Sequence, residues 1–109
     1  MENMDKFLGM LGLCARAGRL AAGEDGVRIA IKKKQAHLVI MDACSSENTK
    51  DWVGSLCGYT KTELITVDAD IGRAIGKEGR RIIAVTDKVF AKNLRDLFNK
   101  NDSLANNAE

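Results

Sequence analysis

Near the middle of this 109-residue chain, Leu38-Val39-Ile40-Met41 is apolar without a break and is closed by Asp42. A short apolar run of this kind is how a strand buried on both faces looks, and such a strand belongs at the centre of a sheet. The segments around it must then supply the cover.

Their periodicity does so. Phe7, Leu8, Leu11 and Cys14 or Ala15 recur at three- and four-residue spacing, one face of a first helix that ends at Gly18. Leu20-Ala21-Ala22 can form a short strand, and Gly23 turns the chain into a second helix that buries Val27, Ala30 and Ile31. Glu24 and Asp25 suit the positive start of that helix, and Lys32, Lys33 and Lys34 suit its negative end. Ser45 to Thr49 form a polar loop with several N-caps, and Trp52, Val53 and Leu56 make a helical stripe that stops at Gly58. Glu63 to Val67 reads as a strand, and Asp70 caps a short helix carrying Ile71, Ala74 and Ile75. A tight loop from Gly76 to Gly79 leads into the strand Arg81 to Val85. Val89 or Phe90, Leu94, and Leu97 or Phe98 define the last helix.

Helices and strands therefore alternate throughout. Strict alternation predicts an α/β fold, a three-layer α/β/α sandwich around a mixed four-stranded sheet. Hydrophobic residues at 45% against 29% charged can fill the core of one domain over residues 1–100, mostly with Val, Ile, Leu and Ala because aromatics are only 5%. Pro is absent, so nothing resembles a rigid linker between modules. Residues 101–109 are polar and are expected to form a disordered tail.

Catalytic chemistry finds little support. His37 is the only histidine, with no Cys or carboxylate at a spacing that makes a triad or a metal site. Asp42 lacks a partner acid and reads as a loop cap, and Cys44 has no base beside it. Cys14, Cys44 and Cys57 are odd in number and form no CxxC, so no disulfide framework, metal site or cofactor is expected. They read as buried or half-buried thiols in a reducing cytosol. The apolar stretch from Phe7 to Cys14 imitates a signal peptide, but Glu2 and Asp5 oppose Lys6 where an export signal needs positive charge. No run approaches the roughly 20 apolar residues of a membrane span, so a cytoplasmic protein without a membrane partner is expected.

Positive charge is more informative. The net charge is only +2, yet the cations cluster in Lys32-Lys33-Lys34 and among Arg73, Lys77, Arg80 and Arg81, interleaved with Gly72, Gly76 and Gly79. Glycines that expose backbone N–H groups among cations are what a phosphate backbone needs, and two basic elements flanking one edge of a sandwich would make an anion-binding surface. Ile75 to Ile82 is also similar to the GXXG loop of KH domains, which clamps single-stranded nucleic acid, although a KH loop leads into a helix.

The order of motifs adds to this. Gly23-Glu24 opening a helix, its basic end, Ala36 to Ala43, the Asn48-Thr49 helix start, Ile71-Gly72-Arg73-Ala74-Ile75-Gly76 and Ile83-Ala84-Val85-Thr86 together resemble the ribosomal protein L7Ae family. That family includes ribosomal and kink-turn RNA-binding proteins, and the chain looks most like its small bacterial YlxQ-type branch. The resemblance implies a non-enzymatic RNA-binding protein, with ribosomal or other structured RNA and the ribosome or translation factors as expected partners. It carries RNA contact over to Gly23, Glu24, Asp25 and Arg28, to Asp42 and Cys44, and to Lys77, Glu78, Gly79, Arg80 and Arg81. Lys32, Lys33 and Arg73 join them as neighbouring cations. Kink-turn readers carry Asn, Glu and Lys where this chain has Asp25, Gly26 and Ile29. Asp25 offers only acceptors and Ile29 no polar group, so weak kink-turn recognition is expected. The competing function is a protein-interaction module that keeps the fold without RNA recognition.

Overall fold

In the computed structural model, residues 2–107 are described, with side chains for residues 3–100. The elements run α1 (Glu2–Arg16), β1 (Leu20–Ala22), α2 (Glu24–Lys32), β2 (Leu38–Asp42) and α3 (Glu47–Thr60). They continue with β3 (Leu64–Val67), α4 (Ile71–Ala74), β4 (Ile82–Val85) and α5 (Lys88–Asn107). This is the alternation that the apolar periodicity predicts. Helix α5 reaches Asn107 and so enters the segment expected to be a polar tail; the side chains of residues 101–107, and residues 108 and 109, lie outside those described.

The four strands stand in the order β1-β4-β2-β3. β2 pairs parallel with β3, whereas β4 is antiparallel to both β1 and β2, which makes the sheet mixed. Alternate side chains of each central strand point to opposite faces. Leu38, Ile40, Ile83 and Val85 face a core shared with Phe7 and Leu11 of α1, Ile71 of α4 and Leu94 of α5. Val39, Met41, Ile82 and Ala84 face a second core made with Val27 and Ile31 of α2 and Val53 and Cys57 of α3. Both central strands are buried along their whole length, as an uninterrupted apolar run requires. The result is a three-layer α/β/α sandwich.

Local chemistry sets the ends of the helices. Ser46 caps α3 by accepting from the Thr49 N–H at 3.1 Å, and Asp70 caps α4 by accepting from the Arg73 N–H at 3.1 Å. Gly18, with φ 69°, closes α1 in a left-handed turn. Gly72 has a different reason to be glycine: a Cβ there would stand 2.5 Å from the carbonyl oxygen of Arg80 and 2.7 Å from that of Lys77. The loop before β4 thus packs directly on the backbone of α4.

Loop hydrogen bonds define the two ends of the sheet. The Gly23 N–H donates to the Ile82 carbonyl at 3.0 Å, and the Asp42 N–H to the Arg81 carbonyl at 2.8 Å. The start of α2, the exit of β2 and the entry to β4 therefore meet at one end. At the other end, the His37 N–H donates to the Val85 carbonyl at 2.8 Å, just after α2 has finished.

Candidate nucleic-acid interface

At the first of these ends lies a concavity of about 420 Å³. Its walls are Gly23 and Glu24 from the start of α2, Cys44 to Ser46 and Thr49 from the loop and helix after β2, and Gly79 to Ile82 from the loop before β4. Three separated stretches of sequence converge there because the sheet brings β2 and β4 side by side.

Each wall is held by a specific interaction. Asp42 is almost fully buried; its Oδ1 accepts from the Cys44 N–H at 2.8 Å and its Oδ2 pairs with Arg81 Nη1 at 3.5 Å. One carboxylate thus shapes the loop after β2 and aims a guanidinium that stays about half exposed. The expected capping role of Asp42 is correct, and it has this second consequence. Glu24 is tied to the third wall: Thr49 Oγ1 donates to Glu24 Oε2 at 3.2 Å, while Ser46 Oγ donates to Thr49 Oγ1 at 3.0 Å. Ser45 Oγ, behind the wall of the concavity, is buried without a hydrogen-bond partner among the described residues.

Positive potential at this end has two sources. Among the described residues no side chain caps the start of α2, so its first amides are open at the positive end of the helix dipole. Arg80 lies against Gly23, where an added Cβ would come within 3.3 Å of Arg80 Cδ; Gly23 also has φ 86°. A side chain at position 23 would therefore be strained and would crowd the arginine. Together the open amides, Arg80 and Arg81 suit an anion. Glu24 adds a hydrogen-bond acceptor for amino or hydroxyl donors.

Gly76 and Gly79 have φ of 75° and 87°, conformations that favour glycine, as the loop reading expects. The Arg80 N–H donates to the Lys77 carbonyl at 3.2 Å and closes a tight turn between the two arms of the loop. That turn enters a strand, β4, so the KH-like alternative is set aside: a GXXG clamp needs a helix to follow.

Several expected members of the site stand elsewhere. Arg28 faces α3, with its guanidinium carbon 4.2 Å from the centroid of the Trp52 ring. Asp25 and Glu78 are exposed but do not line the concavity. Lys32 and Lys33 follow α2 to the opposite end of the sheet, about 13 Å along a nine-residue helix. The expectation that both basic clusters flank one edge is therefore wrong. The second cluster is itself divided, because Arg73 and Lys77 border a separate groove beside α1. Periodicity assigns these residues to elements but carries no information about which loops share an end of the sheet.

The thiols separate clearly. Burial pushes the Cys57 thiol up to about 11, and burial with the nearby Asp87 carboxylate does the same for Cys14. Cys44, expected to be at least half-buried, is exposed because it sits on the loop after β2 rather than in the strand. Among the described residues no group of His, Cys, Asp and Glu could hold a metal ion, and no helix is long and apolar enough to cross a membrane.

Comparison with known proteins now bears on these features. The model of the ribosomal protein L7Ae/L30e/S12e/Gadd45 family matches residues 5–95. The chain belongs to this family. Within it, the chain is similar to the RNA-binding protein YlxQ of Bacillus subtilis (strain 168), 40% identical over 100 residues, which are 90% of this chain and 99% of that protein. The YlxQ of Enterococcus faecium is 32% identical over 98 residues, covering 88% of this chain and 94% of the relative. Among solved structures, a protein of unknown function from Bacillus halodurans C matches with a TM-score of 0.82 and 36% identity, covering 86% of this chain and 97% of that one. A 15.5 kD RNA binding protein from Giardia lamblia matches with a TM-score of 0.73 at 14% identity, over 95% of this chain and 91% of that one, a likeness of fold alone. The L7Ae-family sandwich therefore frames every residue of the concavity.

Proposed function

We propose that this chain is a non-enzymatic RNA-binding protein of the cytoplasm that grips structured RNA, ribosomal RNA among the candidates, at the concavity between α2, α3 and β4. The observation that carries this reading is the convergence of Arg80, Arg81 and the open start of α2 on one hollow. The names of the bacterial relatives support it. Phosphates bind the cations and amides, while Glu24 meets amino or 2′-OH groups. Filter binding against total ribosomal RNA at low and moderate salt tests the proposal. Binding that weakens steeply with salt supports it, and absence of binding at low salt overturns it.

Kink-turn recognition is the finer part, and the α2 surface argues that it is weak. Ile29 is 52% exposed where a kink-turn reader places a Lys, and exposed Asp25 supplies acceptors in place of an amide. Gly26 has room for a side chain, since an added Cβ meets only Ala21 Cβ at 3.6 Å. The triple change Asp25→Asn, Gly26→Glu and Ile29→Lys should therefore fold and should raise affinity for a standard kink-turn RNA, by about 1 to 3 kcal/mol for each bidentate hydrogen-bonded pair that forms. Nanomolar binding of such an RNA by the native chain would contradict this account of α2.

A further inference from the structure

The groove on the other side of the loop before β4 has a composition that the concavity at Gly23 lacks. It holds about 550 Å³ between the end of α1 and α4, and its cations are Arg16, Arg73 and Lys77. Arg16 is remote from the other two in sequence, and α1 meets α4 because Gly12 lets the Ala74 carbonyl approach: an added Cβ would be 3.2 Å away. All three cations are exposed, and none forms an ion pair among the described residues. Among the described residues no carboxylate lines the groove, since Glu78, next to Lys77 in the chain, lies outside it. The hollow on the Asp68 side of the same loop contrasts with this: its lining includes Asp42, Asp68 and Asp70 beside Arg80 and Arg81.

Arg16 stands in the last turn of α1, whose negative end suits a cation. The carbonyls of Leu13, Cys14 and Ala15 there accept from the N–H groups of Ala17, Arg19 and Gly18 at 2.9 to 3.0 Å. Arg16, Arg73 and Lys77 thus surround one depression without a carboxylate partner among the described residues, with Leu20 and Ile75 as apolar lining.

We propose that this groove is a second binding site for the phosphodiester backbone of RNA, separate from the concavity at Gly23. The inference rests on RNA binding at that concavity and extends its footprint. The tight turn from Lys77 to Arg80 joins the two sites. Its ends lie within about 7 Å of each other, two base steps of a strand at about 3.4 Å each. A strand whose phosphates engage Arg80 and Arg81 and which continues across the turn meets Lys77, then Arg73 and Arg16.

The test uses the full chain and total ribosomal RNA, with binding measured across a salt series. The variant Arg16→Gln/Arg73→Gln alters exposed side chains, and thermal melting checks that it stays folded; Arg73→Gln/Lys77→Gln serves as the second variant. Each double variant should lower affinity at moderate salt and reduce the slope of log Kobs against log salt by about 1.4 to 1.8, as expected when two phosphates are no longer neutralised. Arg80→Ala/Arg81→Gln reports independently on the first concavity. If that variant weakens binding while both groove variants keep the wild-type affinity and slope, the groove is not an RNA site and the first reading stands. If wild-type protein fails to bind RNA at low salt, both proposals fall together.

Discussion

Each end of the sheet carries a cluster of cations, and the two ends treat it in opposite ways. At the end where α2 begins, Arg81 is aimed by the buried carboxylate of Asp42 and Arg80 lies along Gly23. Both stand over a loop whose backbone is locked onto α4 at Gly72. At the end where α2 finishes, Lys32, Lys33 and Lys34 are exposed side chains on a helix terminus that they electrostatically suit. Charge count does not distinguish these ends. What does is whether neighbouring groups, such as the Asp42 carboxylate beside Arg81, fix the direction of the cation before a ligand arrives, since ordering a free lysine costs side-chain entropy at binding.

The largest expected effect falls on what both ends share. Ile83 is fully buried on a central strand, and Ile83→Ala should cost about 2 to 5 kcal/mol of stability, measured by urea unfolding. RNA binding should then fall only in proportion to the folded fraction. A smaller but more local effect is expected from Gly72→Ala, which forces a methyl against two backbone carbonyls and should cost about 1 to 3 kcal/mol. Because the displaced atoms belong to Lys77 and Arg80, this variant should weaken RNA binding even in the fully folded fraction, as titration below its melting temperature would show.

Burial explains how much of this was legible in the sequence. The run Leu38 to Met41 and the spacing of Phe7, Leu11, Val27, Ile31, Val53 and Leu94 read correctly because a core position leaves a periodic trace in the chain itself. The cap at Asp70 was legible because capping is local, whereas the loop from Ser45 to Thr49 offered several caps, of which the structure uses Ser46. The site was only half legible. Gly23, Glu24, Gly79, Arg80 and Arg81 do meet, yet Arg73, Lys77, Lys32 and Lys33 do not join them. Neighbours in sequence around a turn can face different grooves, and a cation at the far end of a helix is remote from its start. Thr49, Ser46 and Arg16 gave no signal as site residues, because their roles arise only when distant segments are brought together.

Arg81 sharpens the comparison in another way. Read as an exposed charge, it should matter little to folding. Its contact with the buried Asp42 makes Arg81→Ala costlier than Arg80→Ala, by about 1 kcal/mol. Paired thermal melts of the two single variants would reveal the difference.

A smaller effect is expected at Cys44, which provides a natural reporter on the concavity. It is the exposed thiol of the three, while Cys14 and Cys57 are buried with thiols held near 11. Alkylation should modify Cys44 first, and bound RNA should slow that reaction several-fold without changing the protection of the other two. Equal modification of all three in the folded protein would contradict the burial described above.

The most direct test of the central claim, that directed cations and not charge alone make the site, compares the two ends in one salt series. Arg80→Ala/Arg81→Gln and Lys32→Ala/Lys33→Ala each remove two positive charges. RNA binding by the arginine variant should lose about 1.4 to 1.8 units of salt slope, while the lysine variant stays within about 0.5 of wild type. The opposite ranking, with the lysine variant losing the larger slope, would place the phosphate-binding cations at the wrong end of the sheet and contradict this account.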